Sequence, residues 1–371
     1  LHLLAMLWTS NQATGWFILE KKAGLWVLPL IVVTGPRLAA KHVRQGLLGF
    51  ALACTAGTLY VLLRGLVHWG QTGDTEWLFY HAMANGIGMH AIYFSAFLVL
   101  SIFIIINHFR TVPSVLTLWQ KTGIVLWLSL LLLALVLLAS KTILVVFFLL
   151  GNGLLLIGSA MRQGQWKGGG LWLILNALLV TLLVAIPQTR ARFQDIIDTE
   201  MATVRQTDYR YDTKLNGLSL RLVIWKLGSG TLTAEQAWWT GLGAGDVQDQ
   251  LDAVYRDVGL YTGNPALGDR GYLGYNAHNQ YLQNVLQVGI AGLVLWLLVL
   301  GWLLWRAWRS RSWLLAALVM LFGAFGMTEA VLETHHGSVA FALMASLLVV
   351  GVQASGTIAP TGFSSPSGDN F

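Results

Sequence analysis

Charge is scarce in this chain. Only 11% of its 371 residues are Asp, Glu, Lys or Arg, against roughly 25% in an average soluble domain, which excludes a water-soluble core of this size. Cysteine is scarcer still. Cys54 is the single one, so no disulfide can form within the chain, and its apolar surroundings read as inert packing. There is no internal repeat. A contiguous basic patch with aromatic platforms is also missing: the net charge of +6 comes from Lys and Arg in short loops between apolar runs. That pattern excludes nucleic acid as a partner.

Apolar residues are what the chain has in excess. They make up 56% of it, 17 residues are Trp, and the mean hydropathy is +0.63. In a bilayer this length suits one bundle of about nine or ten helices at roughly 20 residues each. Apolar runs fall at Ala23 to Val33, Gly46 to Val67, Gly88 to Ile106, Thr122 to Ala139, Thr142 to Ala160, Leu171 to Ile186, Leu282 to Leu304, Trp313 to Met327 and Gly337 to Val352. The first is short for a span, and Leu1 to Leu19 reads as the end of an earlier one, so the chain start reads as truncated. The expected fold is all-α, a polytopic transmembrane helical bundle. Its expected parts are N-terminal transmembrane helices over 1–187, a large periplasmic loop with short helices over 188–279, C-terminal transmembrane helices over 280–352, and a disordered cytoplasmic tail over 353–371.

Orientation follows from the basic loops, because Lys and Arg in short loops are retained in the cytoplasm. Arg37, Lys41 and Arg44 mark one such loop, Arg110 and Lys121 the next but one, then Arg162 and Lys167, then Arg306, Arg309 and Arg311. Glu20, Lys21 and Lys22 break the alternation. By this reading the stretch Pro187 to His278 lies outside, away from the cytoplasm. It holds nine of the 23 Lys and Arg and eleven of the 17 Asp and Glu, and it is far longer than an ordinary connection. Function is expected there.

Within the loop, Ser219 to Lys226 reads as a helix with Arg221 and Trp225 one turn apart on one face. Arg221 offers five donors suited to phosphate oxygens, and Trp225 could stack on its stem; an ion pair with one of the loop's many acids is the plainer alternative. Arg190 and Arg192 follow a span end, where a lipid-linked diphosphate or ordinary headgroups would sit. Gly241-Leu242-Gly243-Ala244-Gly245 reads as a sharp turn before a helix capped by Asp246 rather than a nucleotide loop, since no apolar strand precedes it. Tyr261 to Tyr275, rich in Gly, Tyr and Asn, reads as irregular.

His278 stands where the loop re-enters the membrane. The positive end of the following helix favours a neutral imidazole there, able to accept a proton, although a histidine that merely caps the helix fits equally. Gln280, Gln283, Asn284 and Gln287 then form one polar stripe in an otherwise apolar span, expected to face a wet cavity or other helices. Glu329 lies near a span end, where acids are usually paired or functional, with Arg221 or His278 as possible partners. His90 and Tyr93 could line the same cavity or simply pack. His335 and His336 with Glu333 lack the spacing of a zinc site, so no metal and no cofactor is expected.

Arg221-Leu222-Val223-Ile224-Trp225, the Gly241 to Asp246 run, His278-Asn279-Gln280-Tyr281-Leu282 leading into Gly289-Ile290-Ala291-Gly292-Leu293, and Thr328-Glu329 together resemble the O-antigen ligase and polymerase superfamily. The resemblance covers roughly Arg190 to Val352, with weaker echoes at Glu20-Lys21-Lys22 and His90 to Tyr93. It implies transfer of a glycan from an undecaprenyl diphosphate carrier to an acceptor hydroxyl, without a nucleotide sugar or a required metal. The arginine matching Arg221 then engages the donor diphosphate and the histidine matching His278 activates the acceptor. A second diphosphate arginine is expected at Arg192, with Arg190 and Arg210 as competitors. Trp225, Asn279, Tyr281 and Glu329 are expected around the substrates. The expected acceptor is lipid A core or another glycan, which makes the chain a ligase. A repeat-unit polymerase is the rival, and a lipid-linked glycan transporter the reading from another class, which the lack of a repeat disfavours.

Overall fold

A computed structural model describes residues 1–111, 116–161, 169–191 and 201–356. The secondary structure of these residues is helical, without strands. Five helices are long and apolar enough to cross a membrane: Ala40–Thr72, Ala91–Thr111, Leu118–Leu137, Ile290–Arg309 and His335–Gln353. Three shorter apolar stretches accompany them, Lys141–Gly153, Asn176–Ala185 and Trp313–Phe325. The chain is a polytopic helical membrane protein. Apolar side chains on every side of these helices suit lipid on the outside and close packing within. Ala91–Thr111 is the central element, with an unbroken buried run from Ala91 to Ile105.

The long loop is a folded unit with a core of its own. Val223, Ile224 and Leu227 of the helix Gly217–Ala234 pack with Val247, Leu251 and Tyr255 of the helix Val247–Asp257. Val285 and Leu286 of the helix Gln280–Val288 close this core, which is separate from that of the bundle. Asn216 caps the first helix, its side chain accepting from the N–H groups of Leu218 and Ser219, which satisfies two of the donors a helix start leaves open.

Three expectations change here. The run Leu282 to Leu304 is two helices, Gln280–Val288 and Ile290–Arg309. They are separated at Gly289, whose φ of +70° disfavours any side chain and whose Cα faces the Trp239 carbonyl too closely for a Cβ. Leu1 to Leu19 does not form a span end: residues 1–22 make two short helices, His2–Ala5 and Gln12–Lys22. These pack against the loop, where Asp246 accepts from the backbone N–H groups of Ser10 at 2.7 Å and Asn11 at 2.6 Å. That is also why the Asp246 carboxylate does not cap its own helix. Gly245 allows the contact, because a Cβ there would fall 2.2 Å from the Asn11 carbonyl oxygen. The glycine run is a close-packed turn, as expected. Arg192 and the tail from residue 357 lie outside the described residues.

Candidate active site

Three side chains from three places meet where the loop unit joins the bundle. Glu329 follows the helix Trp313–Phe325 and is buried at 7% exposure. Its Oε1 accepts from Arg221 Nη2 at 2.7 Å, and its Oε2 lies 3.0 Å from His278 Nδ1. One carboxylate thus bridges the arginine and the histidine. Burial alone would raise the Glu329 pKa, but the His278 hydrogen bond and the Arg221 charge outweigh it and hold the carboxyl below the usual range. Glu329 is therefore ionised at neutral pH. Against an ionised carboxylate, Nδ1 of His278 donates the proton it carries, which leaves Nε2 as the ring position that can accept one.

His278 is held in a backbone conformation uncommon for a residue with a side chain, φ +43°. Such a conformation costs of order 1–3 kcal/mol and persists only where the surroundings impose it. They do so here from every side. The His278 N–H donates to Asn276 Oδ1 at 2.9 Å, and the Ala277 N–H to Gln283 Oε1 at 3.1 Å. Trp225 donates its indole N–H to the Ala277 carbonyl at 2.9 Å. Trp225 therefore holds the His278 turn and does not stack on Arg221, a correction to the expected pairing. Its position one turn beyond Arg221 on the same helix is what lets it reach the turn.

Arg221 is anchored three times, through Nη2 to Glu329, through Nε to the Thr328 carbonyl at 2.9 Å and through Nη1 to the Gly217 carbonyl at 2.8 Å. Of its five donors, two remain for a ligand, and its side chain is 26% exposed. Its ion-pair partner is Glu329, from beyond the loop, which is one of the partnerships expected of that acid, and not one of the loop's own acids. Because Glu329 offsets its charge, Arg221 alone cannot neutralise a diphosphate.

The other expected substrate contacts divide. Asn279 uses its side-chain oxygen as the cap of the helix Gln280–Val288, accepting from Tyr281 and Leu282. Tyr281 donates its hydroxyl to the Gly323 carbonyl at 2.8 Å, locking that helix to Trp313–Phe325. Arg210 is exposed and paired with Asp212 at 3.4 Å, and Arg190 is exposed in a helical stretch just beyond the helix Gly169–Ala185. His90 lies within electrostatic reach of Glu329, His278 and Arg221, and Tyr93 packs edge-on against Phe325 within reach of Glu329 and Glu333.

The polar stripe does not line a wet cavity. Gln280 and Gln287 are fully buried, and Gln283 and Asn284 nearly so. Gln280 accepts from the Leu332 N–H at 2.7 Å and donates to Asn284 at 2.8 Å. Gln287 donates to Glu333 at 3.0 Å and accepts from Lys22 at 2.5 Å. Facing helices and connections satisfy the amides, which is the stripe's other expected environment.

Two neighbours escaped sequence reasoning. Tyr275 sets its ring 5.4 Å from that of His278 and is 38% exposed; its three-residue offset from His278 was the available signal. His81 packs its ring 4.0 Å from His90, and nothing in the sequence singles it out. Among the described residues no group of three or more His, Cys, Asp and Glu is placed to hold a metal ion.

The fold and site together define a polytopic helical membrane protein whose folded loop sets a carboxylate-oriented histidine beside an anchored arginine. Residues 124–297, just under half of the chain, match the family model for O-antigen ligase. This stretch is similar to O-antigen ligases, and the chain is a polytopic membrane protein with an O-antigen ligase-like region. The matched stretch contains Arg221 and His278 but stops short of Glu329. No curated protein matches the chain.

Proposed function

We propose that the protein transfers a glycan from undecaprenyl diphosphate to a hydroxyl of lipid A core at the periplasmic face of a bacterial inner membrane, with His278 as the base. The observation that carries this reading is the bridge from Arg221 through Glu329 to His278. Glu329 orients the imidazole and stabilises the charge it acquires, the role of the acid in other histidine–carboxylate pairs. The acceptor O–H gives its proton to His278 Nε2 as its oxygen bonds to the anomeric carbon of the donor sugar. The bond from that carbon to the diphosphate oxygen breaks, inverting the centre and releasing undecaprenyl diphosphate. Its growing negative charge meets the two free donors of Arg221, an arrangement that acts most strongly when it is built before the reaction. The charge offset by Glu329 calls for further cations, for which Arg192 and Arg190 are proposed. Tyr275 and His90 flank His278 where an acceptor sugar would approach. Diphosphate with its charge neutralised is a good leaving group, so this chemistry needs neither a nucleotide sugar nor a metal.

The deciding experiment is transfer in vitro from a defined undecaprenyl diphosphate glycan to candidate acceptors. Product on lipid A core supports the ligase reading. Longer polymer on the carrier would replace it with a polymerase, and movement of the lipid-linked glycan across liposomes without a new glycosidic bond would overturn the enzyme reading altogether.

A further inference from the structure

The end of the bundle opposite Glu329 carries a cluster of cations. A cavity of about 860 Å³ opens there between the start of Ala40–Thr72, the end of Ala91–Thr111, the start of Trp313–Phe325 and the end of His335–Gly356. Lys41, Arg44, Arg110 and Arg311 line it, and among the described residues no Asp or Glu does. Deeper in, the lining is apolar, with Leu47, Leu48, Ile104, Leu314 and Leu348. His108 also lines the cavity. Its Nδ1 is buried without a hydrogen-bond partner among the described residues, although buried polar atoms are nearly always partnered. Arg44 lies within electrostatic reach of this imidazole.

Basic loops on one side of a membrane set topology, and that alone would account for cations at this end. It does not account for a cavity that they line, for apolar walls beneath them, or for an unpartnered imidazole nitrogen. We propose that this cavity is a binding site for an anionic phospholipid, its phosphate among Lys41, Arg44 and Arg311 and within reach of His108, and an acyl chain along Leu47, Leu48 and Leu348. The apolar wall makes an amphiphile a better fit than a free anion. Since lipid tails are as apolar as leucine, the tail contributes fit and the cations contribute selectivity. The site is independent of the transfer reaction and stands whatever the acceptor is.

The test is native mass spectrometry of the full chain in detergent, titrated separately with cardiolipin, phosphatidylglycerol and phosphatidylethanolamine, with 10-fold excess inorganic phosphate as a competing arm. The wild type is expected to retain the two anionic lipids in preference to phosphatidylethanolamine. With each cation near a phosphate worth about 1 kcal/mol, the double variant Arg44→Gln/Arg311→Gln is expected to bind them roughly 30-fold more weakly. Both side chains are exposed, so its melting temperature should be unchanged. Leu48→Trp, which narrows the apolar wall and leaves the charges in place, is expected to weaken retention several-fold. Equal retention of the zwitterionic lipid, unchanged binding in the double variant, or displacement by inorganic phosphate alone would each overturn the lipid site.

Discussion

Glu329 and Glu333 stand four residues apart on one short connection, both buried, both facing a cation. Glu329 faces Arg221 and His278, whose side chains are 26% and 24% exposed. Glu333 faces Lys22 at 2.6 Å and Gln287 at 3.0 Å, and Lys22 is only 7% exposed. His2 completes the second cluster, its Nε2 2.8 Å from Lys22 Nζ. The contrast separates two uses of the same chemistry. Where the partners are open to solvent, a buried carboxylate can orient groups that meet a substrate. Where they are closed in, it joins parts of the fold, here the first helices, the stripe helix and the last connection.

The strongest way to break this comparison is at the histidine. His278→Ala is expected to lower transfer by about 10²–10⁴-fold, the range of a general base, while the protein still inserts and melts normally. Turnover near wild type would remove His278 from the mechanism. At the second carboxylate the effect should be on folding: Lys22→Met leaves Glu333 buried and unpaired, and is expected to cost about 3–5 kcal/mol. Adding Glu333→Gln should recover most of that, as measured by unfolding in detergent. A Lys22→Met protein that is stable yet inactive would erase the distinction drawn here.

Acid should sharpen the comparison further. The Glu329 pKa is held below its unfolded value of roughly 4.3. Its contribution is therefore fully present above that value and lost as pH falls through the lower folded pKa. The acid limb of stability is expected to flatten in Glu329→Gln, which should also lower transfer by about 10²-fold, the low end of the range of a general base, by releasing the imidazole; an unchanged limb would show that the carboxylate is not held ionised. The smallest effect belongs to Trp225→Phe. It removes one hydrogen bond to the Ala277 carbonyl, worth about 1 kcal/mol, and should lower kcat by ten-fold or less with the donor KM unchanged.

Much of the site was legible because its residue types are out of place in an apolar chain. A histidine at a membrane re-entry and an acid at a span end are expensive there, so they stand out; Arg221, in a loop already rich in charge, stood out by its place one turn before Trp225. Their partnerships were less legible. The hydrogen bond from Trp225 to Ala277 and the cap made by Asn279 depend on turn geometry, and Tyr275 and His81 join the site only through ring packing. The break at Gly289 is visible only once Trp239 is known to press against it.

Composition and periodicity by themselves determined that this chain is a helical membrane protein with a charged loop between spans, because transfer free energies and helical repeats act locally and add along the chain. Only the tertiary structure decided that Asp246 holds the first helices and that the glutamine stripe is dry. It also decided that Arg221 and His278 share Glu329, across 108 and 51 residues of chain. A carboxylate can serve whichever donors reach it, and which ones do is set by packing between distant segments.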